Sequence, residues 1–204
     1  MSAAEDAYKT LAKPSKEVLF KERKSKFFGY AFPITVETDV KLTIEKLKGM
    51  HAGANHFCYA WQIGVEQPTY RVNDDGEPNN SAGMPIYGQI QAYEVTNVLV
   101  VVVRIFGGTK LGVGGLIGAY KTAAQMALET SKIVNRTLKE LFIINFAYPE
   151  MNKVMRTIKK RSLHIVSQKM QLDCEILISV RKRDAENVRK VFNGIFGVSI
   201  KNEK

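Results

Sequence analysis

The sequence predicts an α+β protein of two domains, residues 1–135 and 136–204. Three observations carry this expectation. Apolar residues alternate with period two in some segments and recur at i, i+3, i+4 in others, the marks of strands and amphipathic helices. The last third orders these segments β-α-β-β-α-β, the ferredoxin-like pattern. Charge also changes near residue 136: residues 1–135 carry 15 basic and 13 acidic side chains, net +2, and residues 136–204 carry 15 and 7, net +8.

Residues 17–33 hold Phe20, Phe27, Phe28, Tyr30 and Phe32 and read as two short strands around the turn Lys21-Glu22-Arg23-Lys24. Thr38 suits the N-cap of a helix whose apolar stripe is Val40, Ile44 and Leu47, extending to His51. From His56 to Ile63 the period is two, with Phe57, Tyr59, Trp61 and Ile63 on one face and His56, Cys58, Ala60 and Gln62 on the other. Tyr70 to Val72 is a shorter partner strand. Residues 73–80, Asn-Asp-Asp-Gly-Glu-Pro-Asn-Asn, form a polar loop, and Ser81 caps a helix running to about Tyr93. Val98 to Ile105 is a β-branched run typical of a strand covered on both faces. A glycine-rich loop over residues 107–115 then leads into a helix from about Leu116 to Val134.

In the last third, Leu141 to Phe146 is a strand, and Glu150 to Arg161 a helix burying Met151, Val154, Met155 and Ile158. Ile165 to Met170 and Cys174 to Val180 form a hairpin with its turn near Gln171 to Asp173. A helix with Val188, Val191, Phe192 and Ile195 on its inner face leads to a closing strand, Val198 to Ile200.

A chain of 204 residues with 45% apolar and 25% charged side chains has the composition of a soluble globular protein. Collagenous, coiled-coil and wholly disordered classes are excluded. The longest strongly apolar run, Val98 to Val103, ends at Arg104, far short of the roughly 20 residues of a bilayer span. The first residues are acidic and polar rather than basic then apolar, so a cytoplasmic protein without a secretory signal is expected. Two cysteines, Cys58 and Cys174, cannot build a disulfide framework or a four-cysteine zinc site, and Cys174 reads as core.

Four stretches could carry chemistry. Gly107, Gly108, Gly112, Gly114 and Gly115, with Arg104 and Lys110, are phosphate-binding candidates, because glycines let backbone N–H groups approach an anion at a helix N-terminus. Neither the dinucleotide fingerprint nor the P-loop spacing fits, and a tightly packed turn is the plainer reading. Asp74, Asp75 and Glu77 form an acidic loop able to hold a hard cation or to move a proton, although loop carboxylates more often cap or face solvent. His56 and Cys58 share a strand face, with His51 the other nearby ligand type, too few for a zinc site; no metal, cofactor or catalytic residue is assigned. Lys153, Arg156 and Lys160, with Lys159 and Arg161 alongside, line the helix face opposite Met151, Val154 and Ile158, a nucleic-acid-binding candidate.

Several of these residues resemble the Impact/YigZ family. The match runs through residues 57–61 (Phe-Cys-Tyr-Ala-Trp), residues 74–78 (Asp-Asp-Gly-Glu-Pro), residues 82–86 (Ala-Gly-Met-Pro-Ile) and the whole of residues 101–116. It covers most of residues 15–135, with the C-terminal domain matched by pattern only. The family commonly has Arg or Lys at the place of Gly118 and Thr at that of Ser81. The resemblance implies a first domain like the second domain of small-subunit ribosomal protein five. It also implies a ferredoxin-like second domain similar to the last domain of elongation factor G. Eukaryotic members of the family regulate translation by competing for an activator of the kinase that responds to amino-acid starvation. The expected function is therefore a non-enzymatic protein that binds RNA or the ribosome and modulates translation, as a monomer or an oligomer. Two alternatives are an enzyme acting on a phosphorylated small molecule at the glycine-rich loop, and a protein-binding adaptor.

Overall fold

The computed structural model describes residues 6–203. In chain order the elements are β1 (Ala7–Leu11), β2 (Val18–Glu22), β3 (Ser25–Pro33), α1 (Thr38–Met50), β4 (His56–Ile63), β5 (Thr69–Asn73), α2 (Gly83–Ala92), β6 (Val98–Ile105), α3 (Gly112–Glu129), β7 (Ile133–Thr137), β8 (Lys139–Ala147), α4 (Met151–Lys160), β9 (His164–Lys169), β10 (Asp173–Arg181), α5 (Lys182–Asn193) and β11 (Val198–Asn202). One compact unit spans residues 8–136; residues 137–203, with Asp6 and Ala7, form the other.

In the first unit, β6 supplies the centre of an antiparallel five-stranded sheet of order β2-β3-β6-β4-β5. Its β-branched residues suit a strand covered on both faces, and every residue from Val98 to Arg104 is buried. Val98, Val100 and Val102 join the layer under α2 and α3, whereas Leu99, Val101 and Val103 join the layer under α1. The alternation read in β4 divides in the same way, Cys58 and Ala60 to the first layer and Phe57 and Trp61 to the second. Helix α3 packs directly on β3, where a Cβ on Gly29 would stand 2.4 Å from the Ala123 carbonyl oxygen.

Several element bounds differ from the sequence reading. Helix α3 begins at Gly112, so the last four residues of the glycine-rich stretch are helical. Burial of Leu116, Ala119, Tyr120 and Ala123 at helical spacing overrides the weak propensity of glycine. The helix ends at Glu129, where Thr130 Oγ1 and Ser131 Oγ donate back to the carbonyls of Met126 and Ala127 at 3.0 and 2.7 Å. Ile133 and Val134, expected in that helix, lie in β7, which forms a two-stranded sheet with β1. Strand β1 had no sequence signal. Thr38 is the first residue of α1 and provides no side-chain cap.

The second unit has a four-stranded antiparallel sheet of order β11-β8-β10-β9, built from a β-α-β-β-α-β chain. Phe142, Ile144, Phe146, Cys174, Ile176 and Ile178 meet Val154, Ile158, Val188 and Phe192 in one core. Asp6 is tied to this unit by Arg181, whose Nε and Nη2 donate to its two carboxylate oxygens at 2.8 and 2.7 Å. That pairing holds the Asp6 carboxyl below its ordinary value.

A methyl group at Gly29 must push α3 off the sheet. Gly29→Ala should therefore cost about 1–3 kcal/mol in urea denaturation. Gly88 in α2 meets nothing within 4 Å, so Gly88→Ala should stabilise by about 0.5–1 kcal/mol.

Candidate functional site

Arg104 is the next inward residue after Val98, Val100 and Val102, so its side chain falls on the face covered by α3. Its backbone lies between Phe27 on β3 and His56 on β4. The guanidinium sits between two aromatic rings, 5.5 Å from the Phe27 centroid and 5.4 Å from that of Phe106. A buried cation needs a partner, and Nη1 donates to Glu77 Oε1 at 2.6 Å. Nη2 reaches Ser25 Oγ at 3.5 Å, and Nε is buried without a partner among the described residues.

Glu77 comes from the acidic loop, and its side chain is only 4% exposed. The same Oε1 accepts the Tyr120 hydroxyl at 2.7 Å, and His56 Nε2 stands 3.9 Å away. The acidic loop and the strand leading to the glycine-rich loop therefore meet at one buried ion pair. The other carboxylates of the loop are also engaged. Asp74 Oδ1 accepts the N–H groups of Ala82 and Gly83 at 2.9 and 2.8 Å, and Oδ2 accepts that of Asn80 at 2.9 Å. Asp74 thus caps α2 from a distance, where an anion suits the helix dipole. Ser81, expected in that role, donates instead to the Pro78 carbonyl at 2.6 Å. Asp75 Oδ2 accepts the Phe57 N–H at 2.6 Å, and the His56 ring donates Nδ1–H to the Asp75 carbonyl at 2.8 Å.

The Cys58 thiol lies 3.0 Å from the Asp74 carbonyl oxygen and 3.3 Å from the Tyr120 hydroxyl. Burial pushes its pKa well up, and the neighbouring carboxylates add to this. Burial raises the Tyr120 phenol as well, with Cys58 and Glu77 adding to it. Both groups stay protonated at neutral pH, so Cys58 is neither a thiolate nucleophile nor a ready metal ligand. His51 lies on the opposite sheet face against Phe28 and Tyr30, its Nε2 2.6 Å from the Tyr30 hydroxyl, and shares no site with His56 and Cys58. Among the described residues no three His, Cys, Asp or Glu side chains are grouped to hold a metal ion.

The phosphate candidates divide. Arg104 is spent on Glu77. Gly107 is a packing glycine: a Cβ there would stand 2.1 Å from the Lys24 carbonyl, and its N–H donates to Ser25 Oγ at 3.2 Å. Gly108, Lys110, Gly112 and Gly114 are exposed, Gly115 is half-buried, and Lys110 makes no ion pair among the described residues. Ser25, Phe27 and Tyr120 belong to the cluster although the sequence reading did not include them. The four-residue spacing of Leu116 and Tyr120 is a local signal that places Tyr120 on the buried face of its helix.

In the second unit, Val154 and Ile158 of α4 are buried while Lys153, Arg156, Lys159, Lys160 and the following Arg161 are exposed. Lys153 pairs with Glu150 at 2.7 Å. The other four make no ion pair among the described residues, leaving a cationic face.

Residues 23–128 match the family model of the Impact N-terminal domain. An IMPACT family member of Haemophilus influenzae is 29% identical over 85% of this chain and 86% of its own length. One of Thermus thermophilus is 35% identical over 69% of this chain and 75% of its own. A crystal structure described as that of a hypothetical protein has a TM-score of 0.72 at 23% identity, over 98% of both chains, a likeness of fold.

Two outcomes test the cluster. Glu77→Ala leaves the guanidinium buried and uncompensated and should cost about 3–5 kcal/mol in urea denaturation. Cys58 and Cys174 are both buried, so a thiol reagent at neutral pH should label neither in the native protein and both after unfolding. Fast native labelling of Cys58 would contradict the protonated, enclosed thiol.

Proposed function

The chain belongs to the IMPACT family, and we propose on that footing that it is a non-enzymatic modulator of translation whose residues 136–204, a domain of their own, bind RNA or the ribosome. The observation that supports this reading is the outer face of α4, where four of five exposed cations have no acidic partner among the described residues. Phosphates would neutralise them and release condensed counterions. The committed state of Asp74, Asp75 and Glu77 favours a binding role over an enzyme that uses those acids. A likeness of the two units to the second domain of ribosomal protein five and the last domain of elongation factor G belongs to the same reading, as does action in the cytoplasm. No helix among the described residues is long and apolar enough to cross a membrane.

The test reverses three charges. Lys153→Glu, Arg156→Glu and Lys160→Glu together should weaken binding to unrelated RNAs alike, since phosphate contacts carry no sequence information. The slope of log affinity against log salt should fall by about three. Each exposed change should alter stability by no more than about 0.5 kcal/mol, checked by thermal melts. Unchanged binding by the folded variant would remove α4 from the interface.

A further inference from the structure

A cavity of about 390 Å³ opens between β1, β7 and the start of α1. Such a volume suits a small ligand. Every residue lining it belongs to the unit of residues 8–136. Backbone hydrogen bonds fix its walls. The Ile34 N–H donates to the Asn97 carbonyl at 3.0 Å, and the Ala12 N–H donates to the Lys132 carbonyl at 2.9 Å. Asn97 takes a left-handed backbone conformation, φ 55°, and its carbonyl also accepts the Thr10 hydroxyl at 3.3 Å. Leu11 and Ile34, 2% and 4% exposed, give the cavity an apolar floor beside Pro33.

Four polar side chains around this floor have no partner. Tyr8 on β1, Thr35 before α1, Asp39 in the first turn of α1 and Arg136 on β7 line the cavity, and none of their side chains makes a hydrogen bond or ion pair among the described residues. The carboxylates of the Arg104 cluster, by contrast, are all engaged within the fold. Asp39 and Arg136 are the charged groups of the cavity, one of each sign, and they make no ion pair with each other. The cavity is therefore neutral in sum and charged at two separate points. A simple anion would leave the Asp39 carboxylate unmatched, and a simple cation would leave the Arg136 guanidinium unmatched.

We infer that this cavity binds a small zwitterion of amino-acid type, with its carboxylate on Arg136, its ammonium on Asp39 and its apolar body on Leu11 and Ile34. Arginine suits a carboxylate because its planar fork donates two parallel hydrogen bonds. An ammonium group has three donors, enough for Asp39 and for the hydroxyl oxygens of Tyr8 and Thr35. A phosphate fits less well, since Asp39 repels it from the same space. This site is in the first unit and is independent of RNA binding by α4, so either reading can fail without the other.

A panel of the α-amino acids and of unbranched ω-amino acids of increasing length, titrated into the full chain by isothermal calorimetry, tests it. At least one member should bind saturably. Its N-acetyl and amide derivatives, each lacking one charge, should bind about tenfold more weakly, since a hydrogen bond to a charged group is worth about that factor or more. Asp39→Asn and Arg136→Gln should weaken the parent compound to the same degree. Asp39→Asn should weaken the N-acetyl derivative no further, and Arg136→Gln should weaken the amide no further, which pairs each charge with its residue. If a variant does not fold, the comparison of parent and derivatives on the unaltered chain decides. Three results would overturn the proposal: no member binding at about 10 mM, derivatives that bind as tightly as the parent, or folded variants that bind the parent unchanged.

Discussion

Arg104 cannot be buried alone, and the first unit is arranged around that fact. A guanidinium inside a sheet layer loses its hydration, and the loss is offset only when a carboxylate and further acceptors converge on it. Glu77 is that carboxylate, and it reaches the cation because the polar loop after β5 is itself held at both ends. Asp74 fixes the loop to the start of α2, and Asp75 fixes it to the start of β4. Tyr120 brings α3 to the same oxygen. One ion pair thus joins the central strand, a surface loop and the longest helix. Gly107 allows the chain after β6 to leave across the β2–β3 turn, where any side chain would collide with Lys24.

This economy of donors and acceptors shapes what chemistry the unit can do. Asp74 and Glu77, which already accept three and two hydrogen bonds within the fold, are poor candidates for carrying a cation or cycling a proton. The thiol and phenol beside them are held neutral by burial. What the first unit offers outward is a cavity with an apolar floor and the exposed start of α3. The second unit offers charge. Its helix α4 keeps a narrow apolar stripe for the core and gives most of the rest of its circumference to lysine and arginine, with Asn152 and Thr157 between them.

Much of this was legible in the sequence because it depends on short-range periodicity. The alternation in His56–Ile63, the β-branched run ending at Arg104 and the stripe Val154, Ile158 each report which side of an element is buried, and the folded chain buries those sides. Bounds failed where burial outweighed local propensity, as in the helical glycines of α3, or where a strand owed its existence to a distant partner, as β1 does to β7.

The candidate site divides along the same line. Sequence alone determined that an acidic loop, an arginine closing an apolar strand and a cationic helix face exist, since each is a property of neighbouring residues. Only the tertiary structure decided that Glu77 is the counterion of Arg104, that Asp74 and not Ser81 caps α2, and that His51 lies across the sheet from His56 and Cys58. It alone brings Asp39 and Arg136 to one cavity. The reason is physical: the cost of burying a charge or leaving a backbone group unpaired is met by whichever partner the packed fold brings within about 3 Å, and sequence separation does not encode that distance.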